Sequence, residues 1–148
     1  MKHNQHYRTL FFCFFLFFTF SFAHANVSAE DSFDEHLRLI YDRITSLRLQ
    51  EAEEELKKLQ SGAGDKAALF FLEDYLDFFR IYFSEDKQLL KKLSGNENKR
   101  LSQIESTASK SSPYHLYYLG EINLHWALLY IKFGQFVPAF NRIKKAYH

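Results

Sequence analysis

The sequence YHLYYLGEINLHWALLYIKFGQFVPAFNRIKKAYH, residues 114–148, predicts two antiparallel helices joined by a tight turn. The part before the turn, to about Phe133, is rich in leucine and aromatic residues and contains no proline. Gly134 supplies the turn, because glycine accepts the left-handed backbone found at many helix ends. The second helix begins near Phe136, and proline at position 138 is tolerated in its first turn. Five apolar positions predict its inner face: Phe136, Ala139, Phe140, Ile143 and Ala146.

The chain from residue 26 to this helix pair also favours helix. Leu, Glu, Lys, Ala and Arg dominate between short breaks, and no stretch alternates apolar and polar residues for long enough to predict a strand. We expect a first helix capped by Asp31 or Ser32, a second that ends at residues 61–64, a third from Asp65 to about Phe83, a short helix that ends at Leu93, and a weaker one before Pro113. On the third helix, Glu73, Asp74, Asp77 and Arg80 predict a solvent-exposed edge. The predicted fold class is therefore all-α.

The closing helix pair resembles a tetratricopeptide repeat, whose pattern is W-x2-L-G-x2-Y followed by alanine, a bulky residue and alanine in the next helix. The matching positions are Tyr130 for the tyrosine, Gly134 and Phe136 for the turn, Ala139 and Ala146 for the alanines, and Ile143 for the bulky residue. Asn123, Trp126 and Ala127 depart from the tryptophan, leucine and glycine positions.

A weaker match covers residues 33–61, with Leu39, Ala52 and Leu56 in pattern positions but Arg43 in place of the tyrosine. Residues 65–110 fit the pattern in no register. The resemblance implies antiparallel hairpins stacked as an array over residues 26–148, with a concave surface for a protein or peptide partner. A generic helical hairpin is the alternative interpretation.

The N-terminus predicts a secretory signal peptide over residues 1–25. Lys2 and Arg8 precede the apolar run LFFCFFLFFTFSF of residues 10–22, and Ala23 and Ala25 supply the small side chains required for cleavage after Ala25. The rival interpretation, an uncleaved anchor, is less favoured because the run is shorter than the ~20 residues that a spanning helix needs. We therefore expect export to the periplasm or the cell exterior, with the signal peptide as the protein's sole contact with the membrane.

Composition narrows the range of partners and compartments. After loss of residues 1–25 the chain has 17 basic residues (19 less Lys2 and Arg8) and 18 acidic ones, a net charge of −1. This balance lacks the basic excess typical of nucleic-acid-binding proteins. The only cysteine, Cys13, lies inside the signal peptide. The mature chain therefore relies on packing without disulfides, which suits a bacterial envelope protein.

The sequence offers little catalytic chemistry, so we expect no enzyme activity and no cofactor. It contains no glycine-rich phosphate loop, no HExxH and no GxSxG motif. Glu121 and His125 lie four residues apart and can share a helix face, but two ligands do not make a metal site.

Aromatic residues on the long helix are the candidate partner surface. Tyr114, Tyr117, Tyr118 and Trp126 predict either core packing between helices or a concave wall that holds a peptide, since aromatic side chains give a large contact area at low entropic cost.

The sequence thus predicts an exported, non-catalytic scaffold for protein–protein interaction. Three alternatives stay open: an extracytoplasmic sensor module with a downstream output domain, an enzyme with a downstream catalytic domain, and a self-contained helical bundle. The last helix reaches His148 without glycine, proline or cap, which favours a polypeptide that continues.

Overall fold

A computed structural model shows an all-helical protein over the residues that it describes, which are 29–60, 62 and 64–147, with side chains from Glu35 onward. The helices are α1 (Ala29–Thr45), α2 (Leu49–Leu59), α3 (Lys66–Ser84), α4 (Lys87–Leu93), α5 (Asn96–Thr107), α6 (Pro113–Lys132) and α7 (Phe136–Ala146). This confirms the predicted all-α class. The predicted signal peptide and its cleavage residues, Ala23 and Ala25, lie outside the described residues.

Capping side chains explain several helix boundaries. The Asp65 carboxylate accepts hydrogen bonds from the backbone N–H groups of Ala67 and Ala68, at 2.9 and 3.1 Å, and so caps α3. Asp86 caps α4 in the same way. The first helix differs from the prediction, because Asp31 and Ser32 lie inside α1 rather than before it.

The helices pack in sequence from one end of the molecule to the other. α1 and α2 form a hairpin against α3, α3 contacts α5 and α6, and α6 pairs with α7. The short α4 packs on α3. The largest fully buried side chains come from several helices: Ile40, Ile44, Ile81, Ile104, Ile122, Trp126 and Leu129. α3 and α6 therefore form the centre of the structure.

The closing hairpin packs through small residues. Ala139 is buried against α6, and the backbone oxygen of Ala146 lies 3.7 Å from the position that a Cβ at Gly120 would occupy. Tyr130 is buried and Ile143 is half-buried, in line with the packing positions expected from the sequence. Small side chains allow the two helix backbones to approach closely.

The predicted inner face of α7 is wrong at Phe136 and Phe140. These side chains are 69% and 66% exposed, while Arg142 is only 8% exposed and faces inward. The cause is the pairing of Arg142, whose guanidinium lies 2.6 Å from the Glu97 carboxylate and donates to Asn98 and Asn123. These contacts with α5 and α6 fix the rotation of α7 and leave both phenylalanines outside.

No helix in the described part of the chain is both long enough and apolar enough to cross a membrane.

We expect Gly134→Ala to destabilise the protein by about 1 kcal/mol or more, since Gly134 has a φ of +74° and alanine is strained there. Gly95→Ala is the matched control, because Gly95 has a φ of −72° and nothing lies within 4 Å of the added Cβ. That variant should keep or slightly raise the free energy of unfolding in urea. Equal effects of the two substitutions would contradict the turn geometry.

Candidate functional site: an aromatic groove

A groove of about 340 Å³ lies where α1, α3 and α6 meet. Its lining residues are Leu37, Arg38, Tyr41 and Asp42 from α1, Ala68, Phe71 and Leu72 from α3, and Tyr114, Tyr117 and Tyr118 from α6. Apolar and aromatic walls with a few polar groups at the rim are typical of binding sites.

Ring contacts join the three helices across the groove. The rings of Tyr41 and Tyr75 stack at 5.4 Å, and Tyr75 stacks on Phe71 at 5.8 Å. Phe71 in turn stacks on Tyr118 at 4.8 Å and contacts Tyr117 at 5.7 Å. Phe71 and Tyr75 are four positions apart on α3, a spacing that places them on one face. The groove floor is thus a continuous layer of aromatic rings.

The exposed tyrosines form the accessible wall of the groove. Tyr114 is 60% exposed and Tyr117 is 49% exposed, while Tyr118 is half-buried between Tyr114 and Phe71. Three of the residues predicted as a partner surface, Tyr114, Tyr117 and Tyr118, thus line the same groove. Arg38 and Asp42 add one charge of each sign at the α1 edge. The site therefore combines aromatic contact area with polar groups that can orient a peptide.

Burial and neighbouring groups raise the pKa of two tyrosines at the groove, Tyr117 and Tyr75. Burial raises the pKa of Tyr117, and the nearby Glu121 carboxylate and Tyr41 raise it further. Burial also raises the pKa of Tyr75, assisted by a hydrogen bond with Tyr41. The ordinary tyrosine pKa of about 10 already lies above physiological pH, and both shifts are upward, so the Tyr117 and Tyr75 phenols are neutral hydrogen-bonding groups there.

A buried polar cluster, which we call the Asp74 cluster, lies beneath the groove. The Asp74 side chain is fully buried and accepts a hydrogen bond from Trp126 Nε1 at 2.8 Å. His125 Nδ1 lies 3.0 Å from its other oxygen. The His125 ring also stacks on Tyr75 at 4.7 Å and Phe78 at 4.6 Å. The cluster thereby locks α6 against α3 and holds the aromatic floor in place.

A second group of charges extends the Asp74 cluster toward α5. Arg100 lies 2.7 Å from the Asp77 carboxylate, 3.5 Å from Glu73 and 4.0 Å from Asp74. The Asn96 amide also donates to Asp77. The prediction that Asp74 and Asp77 lie on a solvent-exposed edge is therefore wrong. Both carboxylates are buried, because Arg100 and Trp126, which are distant in sequence, supply the opposite charge and the hydrogen-bond donor that they need.

Glu97 completes the polar contacts at the α5–α6–α7 junction. Its carboxylate accepts a hydrogen bond from the Tyr130 hydroxyl at 3.0 Å and pairs with Arg142. Burial raises the pKa of Glu97, while Arg142 and Tyr130 oppose that rise. These contacts fix α7 on α6 and lie away from the groove.

The structure corrects one predicted partner-surface residue, Trp126. Its side chain is fully buried, because α6 is covered on the Trp126 side and the indole N–H points to Asp74.

Glu121 and His125 do share a face, with Glu121 Oε2 at 3.7 Å from His125 Nε2, but the other ring nitrogen of His125 faces Asp74. In the part of the chain with described side chains, no three His, Cys, Asp or Glu residues could hold a metal ion.

Comparison with known protein families, curated proteins and solved structures finds no match to this chain.

Proposed function

We propose that this protein is an exported, non-catalytic scaffold that binds a peptide segment of a partner protein in its aromatic groove. The observation that carries the proposal is the exposed tyrosine wall of Tyr114 and Tyr117 above a rigid ring layer. Tyrosine is enriched among residues that dominate binding energy, since it buries a large area and loses little entropy.

The order in which the helix pairs pack supports a stacked array with this groove on its surface. Ala52 and Leu56 are buried in the α1–α2 hairpin, and Ala139 is buried in the α6–α7 hairpin. Both hairpins flank α3, so the groove lies between repeat-like units. In stacked helical arrays, binding surfaces arise between the units, and specificity resides in surface side chains. The N-terminal sequence that resembles a signal peptide supports the exported location.

A displayed library of random peptides tests the proposal directly. We expect peptides rich in aromatic and apolar residues to be enriched on the protein expressed from its full sequence. Tyr117→Ala should weaken their binding about tenfold or more, because loss of one hot-spot side chain costs more than ~1.4 kcal/mol. Isothermal titration calorimetry with a selected peptide gives the change.

Phe83→Ala is the control for this experiment, since Phe83 is an equally exposed aromatic residue outside the groove at 56% exposure. It should leave the affinity unchanged. Selected peptides that bind the Tyr117 variant and the unaltered protein equally, or no enrichment at all, would refute the groove as the binding site.

A further inference from the structure

The polar groups that line the aromatic groove are mostly hydrogen-bond donors. Arg38 carries a guanidinium, which donates and cannot accept, and Asp42 supplies the one carboxylate among the lining residues. The phenol hydroxyls belong to Tyr41, Tyr114, Tyr117 and Tyr118. A phenol donates better than it accepts, because its oxygen shares electron density with the ring. A peptide that fills the groove therefore needs carbonyl oxygens that accept these hydrogen bonds.

The groove offers a peptide no backbone partner. All of its lining residues lie within α1, α3 and α6, where N–H and C=O groups pair along the helix, so there is no strand edge to extend. The N–H groups of an ordinary extended peptide would consequently face aromatic rings without an acceptor. A donor buried without an acceptor lowers affinity. The groove thus favours a segment with few N–H groups.

The size of the groove favours a slim, extended segment over a helix. Its volume of about 340 Å³ is near the lower end of the range for ligand sites, about 300–1,000 Å³. A bound amphipathic helix instead lays anchors from successive turns into a longer groove. A polyproline II segment has three residues per turn and keeps its carbonyl oxygens free to accept hydrogen bonds.

We propose that the partner of the groove is a proline-rich segment in the polyproline II conformation. Proline has no backbone N–H, so it leaves no donor unpaired against the rings, while its carbonyl oxygen accepts from a phenol. The conformation forms before binding, which reduces the entropy lost in the complex. This assignment rests on the proposed function, since it names the kind of peptide that the groove selects.

Ring geometry provides flat faces for the proline side chains. Tyr114 stacks on Tyr118 with ring centroids 6.0 Å apart, and Tyr118 stacks on Phe71 at 4.8 Å, each pair within 23° of parallel. Tyr114 is 60% exposed, so the face of its ring that points away from Tyr118 is open to a pyrrolidine ring. Aromatic-lined grooves are the recurring binding surface for proline-rich segments.

Isothermal titration calorimetry of the protein expressed from its full sequence tests the assignment with an oligoproline peptide whose termini are blocked. We expect this peptide to bind and to displace peptides selected from the random library. The same peptide with alanine at every second proline should bind about tenfold more weakly, because alanine restores N–H groups and loosens the polyproline II conformation.

Tyr117→Phe separates hydrogen bonding from ring contact, because it removes the hydroxyl and keeps the ring. We expect it to weaken oligoproline binding about fivefold, the effect of one lost hydrogen bond. Tyr147→Phe is the matched control, since Tyr147 is 82% exposed and lies outside the groove, and it should leave the affinity unchanged. Circular dichroism of each variant checks that it is folded.

The outcomes distinguish this assignment from the proposed function. If library peptides bind in a Tyr117-dependent way but lack proline and are not displaced by oligoproline, the assignment is overturned and the peptide-binding groove stands. Oligoproline that binds Tyr117→Phe and the unaltered protein equally would overturn it too, since the phenol would then donate nothing. If neither oligoproline nor any library peptide binds, both the assignment and the proposed function fail.

Discussion

Asp74→Ala should lower the free energy of unfolding by about 3 kcal/mol or more. The substitution removes the acceptor for Trp126 Nε1 and the partner of His125 Nδ1, both inside the protein. It also withdraws a negative charge 4.0 Å from Arg100. A buried donor left without an acceptor costs ~1–3 kcal/mol, and breaking a buried charge pair costs ~3–5 kcal/mol. Urea denaturation followed by circular dichroism measures the change.

Asp86→Ala is the matched control for the Asp74 substitution. Asp86 also accepts a hydrogen bond, from the backbone N–H of Gln88 at 2.7 Å, but it is exposed and caps only the short α4. Its loss should cost about 1 kcal/mol. If the two variants lose the same stability, Asp74 is not the buried centre of the α3–α6 contact.

Trp126→Ala should lower the free energy of unfolding by about 3–5 kcal/mol, since Trp126 is among the largest fully buried side chains. The truncation leaves a cavity between α6 and its neighbours and removes the donor to Asp74. Because Asp74 and Trp126 share one hydrogen bond, the double variant should lose less stability than the two single losses combined. Urea denaturation of the three variants gives the coupling energy.

Tyr114→Ala distinguishes this result from a general effect of removing an aromatic ring from α6. Tyr114 is 60% exposed, so its truncation should cost under about 1 kcal/mol. A small loss for both variants would place Trp126 at the surface, as the sequence alone allowed, and would contradict the packing described above.

The fold class could be predicted from local signals. The caps at Asp65 and Asp86, the glycine turn at Gly134 and the break before Pro113 act within a few residues of their own positions. These signals fix where helices begin and end. They also placed Ala139 correctly, because a small residue at a helical spacing is a local property.

The inward face of each helix could be predicted only in part. Apolar periodicity assigned Phe136 and Phe140 to the core, but the Arg142–Glu97 pair turns α7 by a contact with α5. Likewise, the sequence predicts solvent exposure for the Asp74 and Asp77 carboxylates, because their partners Arg100 and Trp126 are distant in sequence and leave no local signal. Buried polar pairs join residues that no local pattern connects.

The sequence predicts the tyrosines of one groove wall but not the residues that the other two helices contribute. Tyr114, Tyr117 and Tyr118 were predicted from their spacing on one helix. The contributions of Tyr41 and Phe71 come from other helices, and only the tertiary packing brings the five rings together. No sequence signal identified Phe71 as the residue that joins the walls, because the third helix carries apolar residues on most of its circumference.

Fluorescence quenching tests the central arrangement, α6 locked on α3 beneath the groove, most directly. Trp126 is the only tryptophan in the chain, so its emission reports this one position. We predict that the native emission is blue-shifted from that of the urea-unfolded protein and almost unaffected by acrylamide. In the Asp74→Ala variant, both properties should be lost at a lower urea concentration than in the unaltered protein, because the variant is less stable. Native emission as red as that of the unfolded chain, with free access for acrylamide, would contradict the arrangement.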